Sequence, residues 1–292
     1  MLLKINDLRK KFEKNHVLED INFSLEKGEV ICFLGPSGCG KSTLLRILAD
    51  IESFDSGDII NNASHTAFIF QEDRLLPWLN VAQNVELVLK DHISEQKERE
   101  NIIEEVLKNV GLGDYRDYMP SQLSGGMKQR VAIARALAIQ PELLLMDEPF
   151  ANLDFPLRLD LIRLISKIFS EGEMGGVFVT HDSREAVLMG DHIMIMTSNP
   201  ATIESSIQIT IPKEKRYLES EEITKYNKLL NHYLCKNMGK EHMHKSCRLL
   251  QNMNFSCENV VFDLDKEIDP ENIPNFKFKS RNNSKQNNDS PD

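Results

Sequence analysis

Hydrophobic and polar positions along this chain follow three rhythms. Leu2-Leu3-Lys4-Ile5-Asn6 and Ile21-Asn22-Phe23-Ser24-Leu25 alternate, which predicts half-buried antiparallel strands. Val30–Leu34, Ala67–Phe70, Leu143–Met146, Val177–Val179 and His192–Met196 are short apolar runs, the pattern of strands buried on both faces. Thr43–Ala49, Leu157–Phe169, Ser183–Met189 and Glu222–Leu234 read as helices. From Val81 to about Ala138 the pattern is mostly helical: Val81, Val85, Val88 and Leu89 share one face, Ile102, Ile103, Val106, Leu107 and Val110 another, and Val131–Ala138 is an Ala-rich helix. Phe54–Asp58 reads as a turn, and Ile203–Ile211 as a further strand pair. Strands alternating with helices predict an α/β fold with a mostly parallel core sheet covered on both faces. An antiparallel N-terminal β subdomain and an inserted α-helical segment over about 72–138 complete it.

One stretch carries chemistry on its face. Gly35-Pro36-Ser37-Gly38-Cys39-Gly40-Lys41-Ser42-Thr43 fits the phosphate-loop pattern, with a strand just before it and a helix just after. Glycines let backbone N–H groups turn inward around a polyphosphate, and the helix N-terminus adds partial positive charge. Lys41 is expected to reach the β- and γ-phosphates and the Ser42 hydroxyl to ligate Mg²⁺. Asp147-Glu148 ends a later apolar strand. Asp147 is expected on the metal side, and Glu148 as the base that polarises the attacking water.

Leu123-Ser124-Gly125-Gly126-Met127-Lys128-Gln129-Arg130 resembles the signature motif of ATP-binding-cassette (ABC) ATPases, a branch of the P-loop NTPases. The resemblance covers about residues 1–235 and implies an ATPase acting on ATP with Mg²⁺. Gln71 resembles the family's Q-loop glutamine, which contacts Mg²⁺ and the water. Asn152-Leu153-Asp154 resembles the D-loop. His181, at 181 − 147 = 34 positions beyond Asp147, resembles the switch histidine that senses the γ-phosphate. Phe12 resembles the aromatic that stacks on adenine, there usually Tyr. Ser124, Gly125 and Gly126 of a second, identical chain are implied to cover the γ-phosphate, so that ATP is sandwiched in a homodimer. Gln71-Glu72-Asp73-Arg74-Leu75-Leu76-Pro77-Trp78 is similar to the segment of nitrate, sulfonate and taurine importer ATPases where a membrane permease docks. Such a subunit works at the cytoplasmic face of the membrane, served indirectly by an extracytoplasmic solute-binding protein. The chain departs from that subgroup at Ser198-Asn199-Pro200-Ala201-Thr202-Ile203, where the subgroup tends to carry two arginines.

Composition narrows the alternatives. With 45 acidic against 35 basic residues the formal net charge is -10, which argues against a protein held on nucleic acid by phosphate contacts. Together with a single cassette, it also weighs against a soluble, non-transport ABC ATPase. Five scattered cysteines suit reduced thiols, not a disulfide framework. Cys39 is expected to be shielded from alkylation by bound nucleotide. Met1–Lys14 lacks an apolar signal core and no run is long enough to cross a bilayer, so the chain is expected to stay in the cytosol as made. Residues 236–292 read as a C-terminal extension, with 282–292 too polar to bury a core and expected to be disordered. His232, Cys235, His242, His244, Cys247 and Cys257 contain no tight Cys-x₂-Cys pair and read as ordinary polar positions.

Overall fold

Alternation along each central strand sends neighbouring side chains to opposite faces, and this divides the core in two. In the strand Val30–Leu34 (β3), Val30, Cys32 and Leu34 belong to one buried cluster and Ile31 and Phe33 to the other. The computed structural model describes residues 1–237 apart from Asn152, together with 262–263 and 267–268. The chain divides into two units, Met1–Val260 and Val261–Asp292. In the second, Phe262–Asp263 and Glu267–Ile268 pair antiparallel. The tail at 282–292, and His242, His244, Cys247 and Cys257, lie outside the described residues.

In the first unit, Leu3–Phe12 (β1) pairs antiparallel with Asn15–Leu25 (β2) on one side and Ser56–Asn61 (β4) on the other. The basic stretch Leu8–Phe12 is therefore part of the strand. Its charges are tied down along the way: Arg9 lies 2.6 Å from Asp20 and Lys10 2.8 Å from Glu52. The turn expected at Phe54–Asp58 ends at Ser56, where β4 begins.

The second sheet has the order β5-β6-β7-β3-β8-β9, with Thr66–Ile69 (β5), Leu143–Asp147 (β6), Gly175–Thr180 (β7), His192–Met196 (β8) and Ile203–Gln208 (β9). All neighbours are parallel except β8 and β9. Ile203–Ile211 thus supplies one strand, not a pair: Ile203–Gln208 runs along β8, and the Ile209 N–H carries the same register on to the Asp191 carbonyl at 2.8 Å. The helix Lys41–Leu48 (α1) lies on the cluster shared with the N-terminal sheet. The inserted helices Val81–Leu89 (α2), Gln96–Asn109 (α3) and Gly125–Ala138 (α4) pack on the other cluster, as do Phe155–Glu171 (α5), Ser183–Met189 (α6) and Glu221–Asn237 (α7). Helix α4 starts six residues earlier than its Ala-rich part predicts, because Ser124 caps it by accepting Met127 N–H at 3.3 Å.

Candidate active site

The phosphate loop spans the step from the end of β3 to the start of α1. Gly38 (φ 78°) and Gly40 (φ 110°) take left-handed conformations that side chains resist. A Cβ on Gly40 would also come within 3.0 Å of the Val17 side chain. Helix α1 begins at Lys41, with Leu44 N donating to Gly40 O at 2.9 Å. The buried Lys41 ammonium donates to the Gly35 and Pro36 carbonyls at 2.9 and 2.8 Å, so the loop folds back over its own lysine. Cys39 is 3% exposed, and burial pushes its thiol up against the opposing pull of Lys41. The thiol is thus shielded by the protein itself as well as by whatever the loop binds.

The parallel register places Asp147, at the end of β6, opposite Val179 of β7. Ser42 Oγ donates to Asp147 Oδ1 at 2.8 Å, which ties the first residues of α1 to the end of a strand far away in sequence. Burial pushes the Asp147 carboxyl up, and the neighbouring charge of Glu148 adds to this. Glu148 follows in the left-handed region at φ 43°, its N–H bonded to Val179 O at 3.1 Å. Its carboxylate lies 3.0 Å from His181 Nδ1. That contact is the main reason Glu148 is held below its ordinary range and His181 above its own. The Ser42 hydroxyl and the Asp147 carboxylate, 2.8 Å apart, are oxygen donors of the kind Mg²⁺ prefers. Asp147, buried beside another acid, gains most from a cation there.

Gln71 is exposed just past β5 and lines a cavity of about 400 Å³ with Gly125, Gln129, Pro149 and Leu153. The space beside Gly125 is open: a Cβ there meets nothing within 4 Å. Among the described contacts, none joins Ser124, Gly125 or Gly126 to the phosphate loop. A second cavity, about 610 Å³, opens beside Gly38 and Cys39 and is lined by Asn15, His16, Val17 and Pro200. Phe12 is not among its lining residues. Its exposed ring sits at the adjoining hairpin end, where Phe12 pairs with Asn15, and the Lys10 ammonium stands 4.6 Å from the ring centroid. The Leu153 and Asp154 positions are described, with Asp154 capping α5 at Leu157 N (3.0 Å), while Asn152 is not.

Two residues that pattern reading passed over hold the segment after Gln71. Asn84 is fully buried in α2, accepts from Leu76 N at 2.8 Å, and donates to the carbonyls of Leu76 (3.2 Å), Leu79 (2.9 Å) and Asn80 (3.0 Å). Arg135 of α4 donates to the Asp73 and Arg74 carbonyls at 2.9 and 3.0 Å. Their sole signal in the sequence is a polar residue where its helix faces the core. Between these anchors Trp78 stands 69% exposed, so it does not cap the helical core.

A glycine loop between a parallel strand and a helix, its serine bonded to a buried carboxylate at a neighbouring strand end, defines the class: a phosphate-loop nucleotide hydrolase. A family profile described as ABC transporter matches residues 18–151. The aliphatic sulfonates import ATP-binding protein SsuB 1 of Pseudomonas savastanoi pv. phaseolicola is 42% identical over 217 residues, covering 74% of this chain and 90% of its own. A sulfonates import ATP-binding protein of Bacillus cereus is 40% identical over 240 residues, covering 77% and 94%. A dimeric ATP-binding cassette solved in a post-hydrolysis state with ADP and Pi superposes with a TM-score of 0.65 at 30% identity, over 72% of this chain and all of that one. The chain belongs to the ABC transporter family and is an ATPase.

Proposed function

We propose that this chain is the ATP-hydrolysing subunit of an importer for small organic or inorganic oxyanions, sulfonates first among them. Its relatives are named for aliphatic sulfonate import, and its Gln71–Trp78 segment supports the same reading. The observation that carries the chemistry is the pairing at the strand ends: Ser42 with Asp147, and Glu148 with His181.

In this reading Gly35–Thr43 cradles the polyphosphate with backbone N–H groups, and Lys41 exchanges its loop carbonyls for β- and γ-phosphate oxygens. Ser42, Asp147 and Gln71 would hold Mg²⁺, which supplies neutralising charge to the phosphates. Glu148, kept ionised by His181, accepts a proton from the attacking water. His181, whose charged form Glu148 favours, donates toward the γ-phosphate. Phe12 and the cavity beside Val17 take the adenine end. Ser124, Gly125 and Gly126 of a second copy close over the γ-phosphate, so ATP joins two chains and hydrolysis parts them. The exposed Trp78 meets a membrane permease at the cytoplasmic face, with a solute-binding protein acting on the far side. Residues 1–235 form the working cassette, and 236–292 an extension to it.

The test is co-expression with a multi-spanning permease from an adjacent gene, followed by reconstitution in vesicles. Uptake of an alkanesulfonate driven by ATP, and lost in the Lys41→Ala variant, is the expected result. ATPase activity with no membrane partner and no uptake would overturn the importer reading in favour of a soluble ABC ATPase.

A further inference from the structure

Behind the Glu148–His181 pair lies a half-buried ionic cluster, with Glu185 its buried member, that none of the steps above uses. Arg158, in the first turn of α5, donates through Nη2 to the Leu153 carbonyl at 3.1 Å. Its Nη1 lies 3.4 Å from Glu185 Oε1 and 3.5 Å from Asp182 Oδ2. Glu185, on α6, is 5% exposed, and its other oxygen accepts from Thr180 Oγ1 at 2.6 Å. Thr180 Oγ1 accepts in turn from Asp182 N at 3.0 Å. Thr180 is the last residue of β7, and His181 follows it directly. Contacts thus run without a gap from the backbone ahead of α5, through Arg158 and Glu185, to both residues that flank His181.

A partly buried ion cluster of this kind is a poor way to gain stability. Desolvating its charges costs much of what their attraction returns, and an apolar replacement is often as good. The cluster is also imperfectly satisfied, since Arg158 Nε is buried without a hydrogen-bond partner. What such a cluster supplies well is fixed geometry. A guanidinium offers several donors in a rigid plane, here aimed at one carbonyl ahead of α5 and two carboxylates at the start of α6. Glu185 is faced by Arg158, Asp182 and His181, while Arg184 holds Asp182 from the solvent side at 2.8 Å.

We propose that Arg158, acting through Glu185 and Thr180, is the positioning residue that holds His181 against Glu148. The inference rests on the reading of Glu148 and His181 given above. Arg158 touches no reacting atom; it sets where the imidazole stands. Removing it frees the Thr180–Asp182 turn, and His181 drifts from the carboxylate 3.0 Å away.

The test uses the full chain and separates kcat from KM for ATP. Arg158→Met is expected to lower kcat about tenfold or more, as small misplacements of reacting groups do, with KM and ATP binding within about twofold of wild type. NMR titration of the His181 ring supplies a readout that a merely structural role leaves unmoved. Its pKa is raised chiefly by Glu148 and is expected to fall in the variant. Normal kcat in folded Arg158→Met, or a kcat loss with His181 titrating as in wild type, overturns the proposal. Should Arg158→Met not fold, Glu185→Gln, which keeps the acceptor for Thr180, carries the test. At least about a threefold loss of kcat at constant KM is expected; an unchanged kcat, or a rise in KM that accounts for the loss, overturns it. Glu148→Gln is run alongside. If that variant turns over normally, the reading of the site falls and the positioning role with it. If it is inactive while Arg158→Met is not, only the positioning role falls.

Discussion

Replacing Glu148 by Gln changes one charge and almost no shape, so it isolates the base. The carboxylate lies 3.0 Å from His181 Nδ1 and is held below its ordinary pKa chiefly by that contact, so it is ionised and ready to take a proton at neutral pH. An amide cannot accept that proton. Loss of a positioned general base costs about 10²–10⁴-fold, or about 3–5 kcal/mol of barrier. Nucleotide binding should hold. Glu148 is one of the charges that push Asp147 up, so its removal leaves Asp147 easier to ionise and the metal side no weaker. His181 loses the partner that raises it, and its pKa should drop toward an ordinary histidine's. The assays are phosphate release at saturating ATP, binding of a fluorescent ATP analogue, and NMR titration of His181. Turnover within about fivefold of wild type would refute the base assignment. Lost nucleotide binding would instead make Glu148 part of the binding site.

Asn84→Leu leaves the Leu76 N–H and the Leu79 carbonyl without their partner, while the Leu76 and Asn80 carbonyls keep the backbone donors Leu79 N and Asn84 N, and should cost about 2–4 kcal/mol in urea unfolding. A loss under about 1 kcal/mol would mean the turn finds other partners. Glu185 gives a pH signature. Burial pushes its carboxyl from an ordinary 4.5 to about 7, so the folded state holds this proton more tightly than the unfolded chain. Its contribution is fully present below pH 4.5 and is lost as pH rises through about 7, a change of about 3 kcal/mol at most. Unfolding of wild type and Glu185→Gln at pH 5 and pH 8 should show the variant gaining relative stability at pH 8; parallel curves would place the proton elsewhere. Cys39, buried and with its thiol pushed up, should label with iodoacetamide far more slowly than a free thiol both with and without ATP, as read by mass spectrometry. Fast labelling without nucleotide would show that the loop opens readily.

What could be read from the sequence was what is local. The phosphate loop declares itself because strand, glycines and helix are consecutive, and the buried strands because each is apolar on both faces. The basic run Arg9-Lys10-Lys11 hid the length of β1, since the acids that anchor it come from two other segments, Asp20 from β2 and Glu52 and Asp55 from the connection between α1 and β4. Asn84 and Arg135 act on backbone carbonyls, and no side-chain pattern advertises a carbonyl. Trp78 was undecidable from pattern alone, because an aromatic beside a helical face fits a core cap or an exposed anchor equally.

The same distinction separates the two halves of the candidate site. Lys41, Ser42, Asp147, Glu148 and His181 meet because parallel register brings the C-terminal ends of β3, β6 and β7 side by side, where open α/β sheets bind their ligands. Ser124 and Gly125 are placed by a different element, the capped start of α4 within the helical insertion, and no described contact carries them to the phosphate loop. Gly125 faces open space that a side chain could occupy without a clash, so packing within this chain does not require glycine there. Its backbone is therefore free to meet something outside the chain. An anion held by Lys41 of a second copy has the charge that a helix start attracts. Glycine at Gly125 is thus better accounted for by an ATP-bridged dimer than by anything in the fold of one subunit.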